Sequence, residues 1–166
     1  MKIRLRLNGE VRDAEIEPAE SLLSLLRRSG CLSVKYGCGT GDCGACTAIV
    51  DGRVVVSCIM LAAKADGRAV RTMEGWRGDR ALQILTEVFV QQAAVQCGYC
   101  TPGMILAART LLAESPDPSE DTVRHALAGN LCRCTGYVKP IEAVLEAARR
   151  LRAPSPVSSP PPGARD

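Results

Sequence analysis

Apolar and polar residues alternate from the start of the chain, with Ile3, Leu5 and Leu7 separated by charged residues. A period of two predicts a strand with one buried face. Asn8-Gly9 follows, a dipeptide suited to a tight primed turn, and Val11 to Glu17 is the expected return strand of a hairpin. Leu22, Leu25 and Leu26 then share one helical face, and Gly30 ends that helix. Thr47 to Val50, Asp51-Gly52 and Val54 to Ser57 repeat the hairpin pattern, and Ala69 to Thr72 predicts one more short strand. From about residue 79 the period is helical and no further strand is predicted. Leu82, Leu85 and Phe89 mark one helix. Thr101 before Pro102 predicts an N-cap with proline at the first helical position, opening a helix to about Ala113. Pro116 and Pro118 break it, and Ser119 caps another that stops at Gly129. Ile141, Val144, Leu145 and Ala148 keep helical spacing behind Pro140.

The change of period predicts an α+β chain in two domains, residues 1–74 and 79–151, with the join in Glu74 to Gly78. A proline-rich tail, residues 153–166, lacks apolar periodicity and is expected to be disordered. At 166 residues, with 46% hydrophobic and 23% charged residues, the chain is globular in composition. A net charge of +3 without a basic run gives no support to nucleic-acid binding. No apolar stretch approaches the ~18 residues of a membrane span. The basic and apolar alternation at the N-terminus is not a signal peptide, so a cytoplasmic protein is expected.

Cysteine is the outlier, at nine residues. In a reducing compartment such a count points to metal or redox chemistry rather than disulfides. Cys38, Cys43, Cys46 and Cys58 follow C-x4-C-x2-C-x11-C, whose first three members match plant-type [2Fe–2S] ferredoxin spacing. Glycines at 37, 39, 41 and 44 let the backbone wrap closely and bare its amides to anionic sulfur. Zinc held by the same thiolates is the alternative, and the x4 spacing and glycine density favour iron. The loop also contains Gly39-x-Gly41-x-x-Gly44, but a cysteine interrupts it and a strand follows, so it is not a dinucleotide fingerprint.

The second set is Cys97, Cys100, Cys132 and Cys134, two close pairs each preceding a predicted helix. Helix N-termini would stabilise an anionic cluster seated among them. A thioredoxin-like dithiol at Cys97 and Cys100 would leave Cys132 and Cys134 unexplained, and C-x-C is a rare zinc spacing.

Gln96-Cys97-Gly98-Tyr99-Cys100-Thr101-Pro102-Gly103 together with Cys132-Arg133-Cys134-Thr135-Gly136-Tyr137 closely resembles the small iron–sulfur subunit of the molybdenum hydroxylases. This is the xanthine dehydrogenase and aldehyde oxidoreductase family, and Gly37 to Cys46 with Cys58 resembles its other motif. The resemblance spans residues 1 to about 151. It implies a β-grasp ferredoxin-like domain followed by a four-helix domain, each with one [2Fe–2S] cluster. It further implies that Gln96 and Cys134 lie against molybdopterin, without ligating molybdenum. The implied partners are a large molybdopterin-binding subunit and an FAD-binding medium subunit, in a dimer of heterotrimers.

The remaining candidates carry less. Cys31 follows the first helix and reads as a small buried hydrophobe. His125, the sole histidine, lies in a helix beside Val123, Ala126 and Leu127, and eight cysteines already fill two four-thiolate sets. Tyr36, Tyr99 and Tyr137 neighbour cluster cysteines and would shield them from water. Arg133 either offsets cluster charge or reaches solvent, and Asp42 is expected at an exposed rim. No hydrolytic triad or carboxylate pair is evident, so the chain supplies redox centres rather than substrate chemistry. Electrons from a molybdopterin subunit would pass through the second set, then the first, to FAD or another acceptor. An aromatic N-heterocycle, purine or aldehyde is the expected substrate of the complex. The competing reading is a freestanding [2Fe–2S] carrier or iron–sulfur sensor.

Overall fold

The computed structural model describes residues 1–76 and 78–153. Its first half is a five-stranded mixed sheet of order β2-β1-β5-β3-β4. β1 (Lys2–Leu7) pairs antiparallel with β2 (Glu10–Glu15), setting Ile3 opposite Ala14 and Leu5 opposite Arg12. β3 (Thr47–Val50) and β4 (Arg53–Val56) form the second hairpin. β5 (Ala69–Arg71) lies between them, parallel to β1 and antiparallel to β3. Ile3, Leu5 and Leu7 turn inward, as their alternation requires, onto the buried Leu22, Leu25 and Leu26 of α1 (Leu22–Arg28). Ser21 starts α1 by accepting the Ser24 amide at 3.2 Å. A sheet wrapped on one helix is the β-grasp arrangement that the resemblance implies.

The second half holds α2 (Arg80–Gln91), α3 (Thr101–Glu114), α4 (Glu120–Leu127) and α5 (Val138–Arg152). α2 packs on α3 and α5, and α4 packs on the same two helices. Leu85, Phe89, Met104, Val123, Leu127 and Val144 form their common core. Asp79 caps α2 through the Leu82 amide at 2.8 Å, and Ser119 caps α4 through the Thr122 amide at 3.2 Å. One expectation needs correction. Thr101 does not cap α3: it is the first helical residue, Cys100 holds the N-cap position, and no side chain bonds the first-turn amides. The chain leaves the cysteine loop already in helical conformation, so the Thr101 hydroxyl cannot turn back as a cap.

The halves touch directly. α3 packs against β3 and β4, and the guanidinium groups of Arg71 and Arg109 both lie over the Trp76 ring, each 4.9 Å from its centroid. Arg109 in turn forms a bidentate pair with Asp79. The proline-rich tail falls outside the described residues from position 154 onward. Among the described residues no helix is long and apolar enough to cross a membrane.

Candidate metal centres

All nine cysteines are free thiols. The first four are gathered by the loop between α1 and β3 and by the turn after β4. Cys38 and Cys43 are tied reciprocally: the Cys38 amide donates to Cys43 Sγ at 3.3 Å and the Cys43 amide to Cys38 Sγ at 3.4 Å. The Thr40 amide also donates to Cys38 Sγ, at 3.4 Å. The loop must pass close to sulfur to do this, and a Cβ at Gly37 would sit 2.6 Å from Cys43 Sγ. Cys46 is buried at the start of β3, and Cys58 joins it within hydrogen-bonding reach.

The electrostatics of this set are those of a site that needs cations. Hydrogen bonds from Thr40, and then from Cys43, hold the Cys38 thiol down at about 5. Burial, reinforced by Cys46, pushes Cys58 up to about 11. Positive charge placed among the sulfurs would offset the burial that disfavours the Cys58 thiolate. Backbone amides aimed at sulfur supply part of it, as the ligands of an iron–sulfur cluster require.

The second four come from the α2–α3 and α4–α5 connections. Cys134 Sγ lies 3.6 Å from Cys97 Sγ, and Cys100 is within hydrogen-bonding reach of Cys132. Burial and the neighbouring Cys132 push Cys100 up to about 12. Burial also acts to raise Cys132, but bonds from Thr135 outweigh it and bring that thiol to about 7. The Thr135 hydroxyl is 3.1 Å from Cys132 Sγ. Cys100 immediately precedes α3, whose uncapped N-terminus is positive. α5 starts four residues after Cys134, behind Tyr137 at φ +69.

In both sets the cysteines associate in twos: Cys38 with Cys43, Cys46 with Cys58, Cys97 with Cys134, and Cys100 with Cys132. Two thiolates for each of two irons is the arrangement such pairs can serve.

The two sets are joined by backbone. The Leu131 amide, one residue before Cys132, donates to the Cys43 carbonyl at 2.9 Å. The Tyr99 hydroxyl donates to the Tyr36 carbonyl, again linking one cysteine loop to the other. Asn130 bonds both Gly44 and Thr47. Sequence reasoning missed Asn130, because a buried amide in a turn has no periodic signature. It also treated Tyr137 only as a shield. Its hydroxyl accepts the Cys132 amide at 2.8 Å and donates to the Asn130 carbonyl at 3.2 Å.

Gln96 and Cys134 stand together and exposed, with Gln96 Nε2 donating to the Cys134 carbonyl at 3.3 Å. Cys31 is 3% exposed in the sheet-side core, with Asn8 Nδ2 at 3.7 Å. His125 is spent on its own helix, Nδ1 lying 2.7 Å from the Asp121 carbonyl. Arg133 and Asp42 are exposed, and the Thr40 hydroxyl donates to Asp42.

Residues 5–72 match the model of a 2Fe-2S iron-sulfur cluster binding domain, and residues 72–145 that of a [2Fe-2S] binding domain. The chain is 50% identical to the nicotinate dehydrogenase small FeS subunit of Eubacterium barkeri, over 89% of this chain and 95% of that one. It is 44% identical to the xanthine dehydrogenase iron-sulfur-binding subunit of Escherichia coli O157:H7, over 89% of this chain and 94% of the other. Among solved structures, quinoline 2-oxidoreductase from Pseudomonas putida 86 contains a chain of similar fold. It superposes with a TM-score of 0.81 at 45% identity, covering 90% of this chain and 96% of that one.

Proposed function

The chain belongs to the family of small iron–sulfur subunits of the molybdenum hydroxylases, and from that premise we propose how its residues serve electron transfer. Cys38, Cys43, Cys46 and Cys58 hold one [2Fe–2S] cluster. Cys97, Cys100, Cys132 and Cys134 hold the other. Bound clusters of this kind supply one-electron oxidation and reduction. The chain's own part is to supply thiolates, to aim amides from Cys38, Thr40 and Cys43 at them, and to hold the two loops in register. The observation that carries this reading is the Leu131–Cys43 hydrogen bond of 2.9 Å, which links a residue beside one ligand set to a member of the other.

The exposed Gln96–Cys134 pair marks the face turned to molybdopterin on a large partner subunit. The Gln96 amide donates to Cys134 and keeps its carbonyl oxygen available as an acceptor. Electrons enter the chain at this face and leave from the Cys38–Cys46 loop, toward FAD on a medium subunit. The complex is a dimer of heterotrimers in the cytoplasm, where ligand thiols stay reduced until clusters are inserted. Its substrate is an aromatic N-heterocycle, a reading supported by relatives named for nicotinate and quinoline.

Affinity purification through this chain from its native source tests the assignment. A large molybdenum-containing chain and a flavin chain should co-purify, and both clusters should be reduced on adding nicotinate or quinoline. A chain that elutes alone with both clusters would instead support the freestanding carrier.

A further inference from the structure

Asn130 lies between the two cysteine loops and is used by neither ligand set. It is 3% exposed. Its Nδ2 donates to the Gly44 carbonyl at 2.9 Å and to Thr47 Oγ1 at 3.0 Å. The same Gly44 carbonyl also accepts the Thr47 hydroxyl at 2.6 Å. On the other side, the Asn130 carbonyl accepts the Tyr137 hydroxyl, which itself accepts the Cys132 amide. One residue therefore bonds the loop between Cys43 and Cys46 through its side chain, and the Cys132 amide through its backbone and Tyr137.

The surroundings are shaped to this amide. A Cβ on Gly44 would come within 2.7 Å of Asn130 Nδ2, and one on Gly103 within 2.8 Å. The group must donate twice, to two oxygens on the sheet side, which a carboxamide nitrogen does and an ionised carboxylate cannot.

We propose that Asn130 is a positioning residue of the electron relay, holding the Cys43 and Cys132 loops at one separation so that the Leu131–Cys43 hydrogen bond and the spacing of the two clusters stay constant. The inference rests on the two-cluster reading above. Removing the amide touches no thiolate. It takes the donor from Thr47 Oγ1 and one donor from the Gly44 carbonyl, which keeps the Thr47 hydroxyl and amide, and the loop, no longer tied to Asn130, shifts. The magnetic interaction between two reduced clusters falls steeply with distance, so a shift of this kind has its own spectroscopic signature.

The test is low-temperature electron paramagnetic resonance of the full chain, reduced with dithionite. The wild-type chain should show two cluster signals split by their mutual interaction. Asn130→Ala should keep both signals with full iron and sulfide content, and lose or narrow the splitting. Asn130→Asp, similar in shape but without the donor, should not restore it. Arg109→Lys, in the Trp76 contact, should leave it unchanged. Wild-type splitting in Asn130→Ala, or its restoration in Asn130→Asp, would overturn the inference. If Asn130→Ala does not assemble, Tyr137→Phe decides, because it deletes a single oxygen of the same chain of bonds. Unchanged splitting there would overturn the proposal equally. Absence of the second cluster from the wild-type chain would instead overturn the two-cluster reading.

Discussion

Alanine at position 44 would bring a Cβ to 2.1 Å from the Gly129 carbonyl oxygen and 2.7 Å from Asn130 Nδ2. Gly44 also lies at φ +66, where a Cβ costs about 1–2 kcal/mol. The Gly129 oxygen is backbone and cannot rotate aside, so the overlap is relieved only by separating the two loops. Overpacking of that kind adds roughly 1–3 kcal/mol, for a total of about 2–5 kcal/mol. Gly52 provides the comparison. It sits in the β3–β4 turn at φ +81 with nothing within 4 Å of its would-be Cβ, so Gly52→Ala carries only the conformational cost of about 1–2 kcal/mol. The two variants should be compared by thermal loss of visible cluster absorbance, followed alongside far-ultraviolet circular dichroism. At about 2–4 °C per kcal/mol for a chain of this size, Gly44→Ala should release its clusters several degrees below Gly52→Ala. Equal midpoints would refute the claim that the Gly44 to Gly129 contact is tight and structurally required.

Other variants separate the parts of the account. Cys43→Ser and Cys100→Ser should each erase a different cluster signal, because each ligand set couples metal binding to the folding of its own half; loss of both signals from either change, with the other half still folded, would show the sets to be wrongly drawn. Gln96→Ala in the assembled complex should leave both cluster signals intact while slowing cluster reduction by substrate or lowering molybdenum content, and wild-type stopped-flow rates with full molybdenum would remove Gln96 from the pterin face. Burial raises the Asp79 carboxyl, but Arg109 and the Leu82 amide outweigh it and hold the group below its ordinary value. A carboxyl depressed in the folded state stabilises above its unfolded pKa of about 3.9, and that contribution is lost as pH falls through the folded value. Asp79→Asn keeps an N-cap but not the charge, so its urea midpoint should trail wild type at neutral pH and converge with it in acid; a gap independent of pH would contradict the ion pair.

The elements that place the thiolates were legible because their signals are local. Asn8-Gly9 and Asp51-Gly52 announced both hairpins, and Ser119 announced the start of α4 through its own side-chain bond. The cysteine spacings divide eight thiols into two sets, and within them the folded chain places Cys46 beside Cys58 and Cys100 beside Cys132. What stayed hidden depends on contacts across long stretches of sequence. The Asn130 to Gly44 bond spans 86 residues, and neither residue type advertises a partner. The two 3-10 turns, Ala62–Ala65 and Met73–Gly75, are too short to carry periodicity. Thr101 was misassigned as a cap because a threonine before a proline fits the pattern, whereas the cysteine loop decides where α3 begins. Tyr137 holds a left-handed conformation that no propensity favours, and its hydroxyl gains two backbone partners there.

The central claim is that eight of the nine cysteines hold two separate binuclear iron clusters. Iron and acid-labile sulfide analysis of the purified full chain, combined with Mössbauer spectroscopy, tests it most directly. Two irons and two sulfides for each of two clusters, resolved as two distinct [2Fe–2S] centres, is the expected result. Stoichiometric zinc, or iron and sulfide sufficient for one cluster alone in a chain with all eight thiols intact, would contradict it.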